Sequence, residues 1–153
     1  MNYRQAEEKD IPTIVHLLDD CRPYVLPHHD YLYWMLCDYF QSTCFVCEES
    51  DKFIGFISGV PSIDQSTVFI WQVCVHPESR KRGVALNLIK LLFDSSLKLG
   101  FNNLQLSITA ENSISKKMFD RFSDMHSLKM EFLNQSTISG KTENIYKISR
   151  IKI

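Results

Sequence analysis

The chain has 153 residues, 44% of them hydrophobic and 23% charged, which is the length and composition of one ordinary folded domain (1-153) with a single core. Seventeen Lys and Arg against eighteen Asp and Glu leave a formal net charge of -1, so no global field draws the protein toward nucleic acid or an acidic membrane. Five Gly, five Pro and the absence of any biased tract exclude a disordered, collagen-like or low-complexity chain.

Met1 to Asp10 lacks the apolar stretch of a secretory signal, and no uncharged run approaches the roughly 18 residues that span a bilayer, so a cytoplasmic address is expected. Tyr3 to Glu7 reads as a short strand. Asp10 can cap a helix with Pro12 in its first turn and Ile11, Ile14, Val15 and Leu18 at helical spacing, interrupted by Arg22-Pro23 and Leu26-Pro27. From Asp30 to Phe40 the stripe Leu32, Met35, Leu36, Tyr39 predicts a second helix; Tyr31, Tyr33 and Trp34 make it apolar nearly all round, as for a mostly covered helix.

Thr43 to Glu48, Phe53 to Val60 and Thr67 to Val75 are β-prone runs joined by polar turns, an antiparallel meander. The first contains Cys44-Phe45-Val46-Cys47. Residues three apart on a strand face opposite ways, and no second pair or spaced His completes a metal set. With Cys21, Cys37 and Cys74 these are five cysteines among apolar neighbours, as for reduced, buried thiols. Ala85, Leu88, Ile89 and Leu92 then describe a long helix ending at Gly100, and Asn103 to Ile108 a strand parallel to the one before it. Asn112 can cap a further helix with Ser115, Met118, Phe119 and Phe122 inward, and Leu128 to Leu133 with Glu143 to Ile151 forms a closing hairpin around Asn134 to Lys141.

The chemistry concentrates where the run Thr67 to Val75 passes through His76-Pro77-Glu78-Ser79 into Arg80-Lys81-Arg82-Gly83-Val84-Ala85 and the long helix. A helix N-terminus offers unpaired N–H groups and the positive end of its dipole, and small residues at Gly83 and Ala85 let a bulky anion reach them. Arg80, Lys81 and Arg82 surround that point with cations, so the loop fits a pyrophosphate. GxGxxG and GxxxxGK[ST] are both absent, which removes a dinucleotide-binding Rossmann unit and a nucleotide-hydrolysing P-loop.

Arg80-Lys81-Arg82-Gly83-Val84-Ala85 matches the R/Q-x-x-G-x-G/A motif of the GCN5-related N-acetyltransferases (GNAT), and the element order from Tyr3 to Ile151 resembles that fold. The resemblance implies an α/β (α+β) GNAT-type domain: a mixed, mostly antiparallel sheet of about seven strands, splayed between the fourth and fifth, flanked by about four helices. It further implies acetyl-CoA as co-substrate and no metal. Val73, Cys74 and Val75 would hold the pantetheine arm, Arg80 to Ala85 the pyrophosphate, and Asn112, Ser115 and Phe119 would line the far side of the coenzyme.

A narrower resemblance is to the diaminobutyrate acetyltransferases of ectoine synthesis. It rests on Tyr31, Tyr33, Leu36-Cys37-Asp38-Tyr39-Phe40, Thr43-Cys44-Phe45-Val46, Phe69-Ile70-Trp71-Gln72-Val73, Thr109-Ala110-Glu111-Asn112 and Glu143 to Ile148. The chain departs from that subfamily at Leu26, His28 and His29, in place of an acidic residue with Asn-Ser, and at Gly140 and Lys141, in place of His-Glu. What this implies is an N-acetyltransferase acting on a small primary amine, diaminobutyrate or a related diamino acid among them, with Tyr31, Tyr33, Trp71, Gln72 and Glu143 around the acceptor.

An alkylammonium must lose its proton before attacking a thioester, and the strand Phe69 to Val75 holds no carboxylate; Glu143 is the preferred base or ammonium-binding group, against an ordinary exposed strand Glu. The Tyr that commonly serves the family as general acid is Phe119 here, so Tyr31, Tyr33 or Tyr146 substitutes, or solvent protonates the thiolate. Trp71 reads equally as core or as an aromatic face for a cation. His16, His76 and His126 form no hydrolase constellation. The alternatives are a non-catalytic acyl-CoA-binding module, a GNAT enzyme for a polyamine or amino acid, and a nucleic-acid binder resting on Arg80 to Arg82, which the net charge disfavours. The partner expected is a small amine, with no nucleic acid and no membrane, and a homodimer is compatible with this reading.

Overall fold

A computed structural model describes residues 1–152. The strands are β1 (Asn2–Gln5), β2 (Cys44–Glu49), β3 (Lys52–Pro61), β4 (Thr67–Val75), β5 (Asn103–Thr109), β6 (Leu128–Ile138) and β7 (Lys141–Arg150); the α-helices are α1 (Ile11–Asp20), α2 (Asp30–Tyr39), α3 (Val84–Lys98) and α4 (Ser113–Met125). The strands form one sheet in the order β1-β2-β3-β4-β5-β7-β6, antiparallel throughout except for the parallel pair β4 and β5 that α3 connects. This is the mixed seven-stranded sheet with four helices that the resemblance implied.

Both faces of the sheet are buried at β2, which explains why that strand is apolar at consecutive positions rather than alternating. Phe45 and Cys47 join Leu88, Leu92 and Phe122 in the core under α3 and α4, whereas Cys44 and Val46 join Ile14, Leu18 and Leu36 under α1 and α2. Cys44 and Cys47 therefore lie on opposite faces, as their spacing predicts. All five cysteines are free and buried, and burial pushes the thiols of Cys37 and Cys44 up to about 11 and about 12.

Two glycines of β3 set the seat of α3. A Cβ on Gly55 would stand 2.7 Å from Cγ1 of Val84, and one on Gly59 would stand 2.7 Å from Cγ1 of Val68 and 3.1 Å from Cδ1 of Leu92. The helix rests on space that only a missing side chain leaves.

Three local expectations are corrected. Asp10 does not cap α1 through its side chain: the carboxylate accepts from the Glu7 amide at 2.8 Å and from both terminal nitrogens of Arg4 at 2.7 and 2.9 Å, and a 3₁₀ turn over Glu8–Asp10 precedes the helix. The loop expected over Asn134 to Lys141 is strand instead, because Ser139 and Gly140 both take positive φ (51° and 75°) and reverse the chain in two residues. Helix α2 is covered on one face only: Tyr33, Leu36 and Cys37 are buried, while Tyr31 and Tyr39 are 67% and 71% exposed and lie against Trp34.

Candidate active site

The parallel ladder between β4 and β5 is short. Thr67, Val68 and Phe69 pair with Asn103, Leu104 and Gln105, and beyond them the strands part. From Ile70 to Val75 every second residue turns its main-chain groups to an edge with no β5 partner. A bulge in β4 lies where the strands part: Ser58 pairs with Gln72 and Gly59 with Ile70, so Trp71 has no partner on β3. It also reverses the alternation, placing Ile70 under α3 and α4 but Trp71 and Cys74 under α1 and α2.

The parting opens a cleft of about 580 Å³ between the two strands, the α1–α2 loop, the start of α4 and the tip of β7. Trp71, Gln72, Val73, Asn112, Ser115, Phe119 and Glu143, all expected in the site, line it. Glu143 is brought there by pairing with Thr109, the last residue of β5. The Asn112 side chain caps α4 by accepting from the Ser115 amide at 3.1 Å. Cys74 faces away, buried beneath α1, so only its main chain can serve the cleft.

At the other end of β4, Gly83 is the N-cap of α3 with φ of 82°. A Cβ there would meet nothing within 4 Å, so the ground before the first turn is open. The first amides of α3 have no intrahelical acceptor, and Val84, buried against the core, pins that turn in place. Arg80 lies along this approach, its Nε donating to the Val75 carbonyl at 3.3 Å and its guanidinium 5.5 Å from the Tyr24 ring centroid. Lys81 is exposed, with φ of 63°. Arg82 is turned aside: two of its nitrogens donate to Glu49 at 2.7 and 2.8 Å, which holds the Glu49 carboxyl below its usual range. The loop expected to hold a pyrophosphate thus presents main-chain amides, Arg80 and Lys81, while Arg82 is paired with Glu49.

The sequence of this chain matches the model of the Acetyltransferase (GNAT) family over residues 11–123. The chain belongs to the GNAT acetyltransferase family. Among curated proteins it is similar to the L-2,4-diaminobutyric acid acetyltransferase of Shouchella clausii, 34% identical over 97 residues that cover 63% of this chain and 54% of that one. It is similar also to the enzyme of the same name from Vibrio parahaemolyticus, 29% identical over 95% of this chain and 84% of that one. In its first matches the chain spans about half the length of the curated relatives. Among solved structures, diaminobutyrate acetyltransferase from Paenibacillus lautus, in complex with L-2,4-diaminobutyric acid and coenzyme A, superposes with a TM-score of 0.84 at 24% identity, covering 97% of this chain and 93% of that one.

Two of the residues expected around the acceptor lie outside the cleft lining in this GNAT domain. Tyr31 is exposed on the outer face of α2 and does not line the cleft. Tyr33 is fully buried: its hydroxyl donates to Oε1 of Gln72 at 3.0 Å and accepts from the His28 amide at 3.1 Å, and burial pushes its phenol up, so it stays neutral. Gln72 in turn donates from Nε2 to the Leu26 carbonyl at 2.9 Å. Tyr33 and Gln72 therefore tie the α1–α2 loop to β4, and Trp71, with ring centroids 4.9 Å from His28 and 6.1 Å from Tyr33, packs against the same tie. Tyr146 packs against Phe132 and Lys116, outside the cleft lining. Among the described residues the tyrosine lining the cleft is Tyr24, which sequence reasoning missed because the Arg22-Pro23 and Leu26-Pro27 pairs mark a loop without saying what it covers. Glu111 and Lys141 also line it. No group of three or more His, Cys, Asp or Glu side chains among the described residues is placed to hold a metal.

Proposed function

We propose that this chain transfers the acetyl group of acetyl-coenzyme A to a primary amine of L-2,4-diaminobutyrate or a closely related diamino acid. The observation that carries the reading is the cleft opened where β4 leaves β5, lined by Glu143, together with the glycine-capped start of α3 that follows β4 in the chain. The names of the curated relatives support the choice of amine.

In this reading the pyrophosphate takes the amides that precede and open α3, with Arg80 and Lys81 beside it, and the pantetheine arm lies along the free edge of β4. A carboxylate at Glu143 holds the acceptor ammonium and draws off its proton, directly or through water. The freed amine attacks the thioester carbonyl carbon and a C–N bond forms; the nitrogen gives up its second proton to water, and the C–S bond breaks as the tetrahedral intermediate collapses to the amide. The departing thiolate is protonated by solvent or by Tyr24, the tyrosine that lines the cleft, since Phe119 has no proton to give and Tyr33 spends its own on Gln72.

Release of free coenzyme thiol from acetyl-coenzyme A tests the reading across diaminobutyrate, ornithine, lysine, short diamines, polyamines and peptide N-termini. Diaminobutyrate is expected to give the highest kcat/KM. Faster turnover of peptides or polyamines would overturn the acceptor, and coenzyme binding without turnover of any amine would leave a binding module.

A further inference from the structure

The charged residues that line the cleft are Glu111, Lys141 and Glu143, two carboxylates and one ammonium. Lys141 and Glu143 stand two apart on β7 and so project to one side of the strand, Lys141 opposite Ile138 at the hairpin tip and Glu143 opposite Thr109 of β5. Glu111 lies in the turn between β5 and α4. Among the described residues none of the three enters an ion pair or a side-chain hydrogen bond, although the neighbouring Glu131 and Lys147 approach each other to 3.8 Å. Glu111 and Lys141 are exposed and Glu143 is half-buried, so water serves them in the open cleft, and a ligand carrying the opposite set of charges would complement all three at once.

We propose that Lys141 recognises the carboxylate of the acceptor while Glu111 and Glu143 take its two ammonium groups, so that the cleft selects a diamino monocarboxylic acid by the number and sign of its charges. This rests on the acceptor reading above and deepens it. A diamine satisfies both carboxylates but brings its positive charges to an unanswered Lys141. A monoamino acid satisfies Lys141 but leaves one carboxylate without a partner. The flexible stem of Lys141 lets its ammonium reach inward from the rim, and its exposed position makes substitution compatible with folding.

The test compares L-2,4-diaminobutyrate with 1,3-diaminopropane, which has the same two amines and no carboxylate, at saturating acetyl-coenzyme A. Wild type is expected to favour diaminobutyrate. Lys141→Gln should raise its KM and lower kcat/KM by about 10-fold, raise kcat/KM for diaminopropane, and so shrink the preference; Lys141→Arg should restore it. Equal losses on both amines, or no change on diaminobutyrate, would overturn the role of Lys141 while leaving the acceptor reading in place. A wild-type protein that ignores diaminobutyrate but acetylates another class of amine would overturn both.

Discussion

The Tyr33 hydroxyl and the Gln72 side-chain carbonyl meet 3.0 Å apart in the buried seam between α2 and β4, and through them the α1–α2 loop is held over the cleft. Tyr33→Phe removes the donor without changing the ring's shape and strands Gln72 Oε1 and the His28 amide. The loss is expected to be about 2 kcal/mol, or about 4–8 °C in Tm for a chain of this size. Leu26 and Trp71 line the cleft, and if they face the acceptor as proposed, amine KM should rise while coenzyme affinity holds. Thermal melts and steady-state kinetics in both substrates check it; equal damage to both KM values would make Tyr33 a general stability residue.

Gly83→Asp puts a carboxylate on the open approach to the first turn of α3 and forces a side chain into the left-handed region. Both effects act against a bound pyrophosphate. The rise in Tm that acetyl-coenzyme A produces in wild type should shrink markedly, with affinity lower by at least about 10-fold. A folded variant with unchanged affinity would move the phosphate site elsewhere.

For Glu143→Gln, loss of a charge-assisted hydrogen bond to the ammonium should lower kcat/KM by roughly 10 to 100-fold, mainly through amine KM. If the carboxylate also takes the proton, kcat falls as well and recovers in part between pH 7 and 10, as more of the amine is free. Wild-type kinetics throughout that range would remove Glu143 from the site.

The period changes along the chain made most elements legible, and β4 begins and ends where its run of β-prone residues does, at Thr67 and Val75. The start of the long helix was legible for a related reason: Gly83 stands between the charged run Arg80 to Arg82 and an apolar helical period, and α3 opens at Val84. What could not be read is contact across distance. The Tyr33–Gln72 tie joins residues 39 apart, and the Arg82–Glu49 pair joins residues 33 apart. Nothing local in either sequence says that the partner waits there. The bulge at Trp71 was hidden for another reason, since it is a mismatch of register with β3 and leaves the β4 sequence looking regular.

Asp10 supplies a pH dependence of stability. Burial alone would raise its carboxyl, but the two bonds from Arg4 and the one from the Glu7 amide outweigh this and hold it below the ordinary 3.8. A depressed folded value stabilises above the unfolded pKa and is lost as pH falls through the folded one. Asp10→Asn is therefore expected to lower Tm at pH 7 by about 4–8 °C, from about 2 kcal/mol, and the gap to wild type should narrow as pH falls past the ordinary carboxyl value of 3.8. Melts of the two proteins from pH 7 down to 2.5 test this, and a gap that stays constant with pH would assign the loss to packing.

The absent side chain of Gly55 reaches further than its own strand. Gly55 lies opposite Val75, and the atom its Cβ would strike belongs to Val84, the first residue of α3 and the neighbour of Gly83. The thickness of one methyl group on β3 thus gauges the height of the α3 amides above the β4 edge. In the proposed binding mode the pyrophosphate rests on those amides and the pantetheine arm has a limited reach, so raising the anchor at one end withdraws the reactive carbon at the other. Alanine at position 55 should show itself as a misaligned acetyl group in a protein that still binds its coenzyme, a defect of reach with its origin outside the cleft.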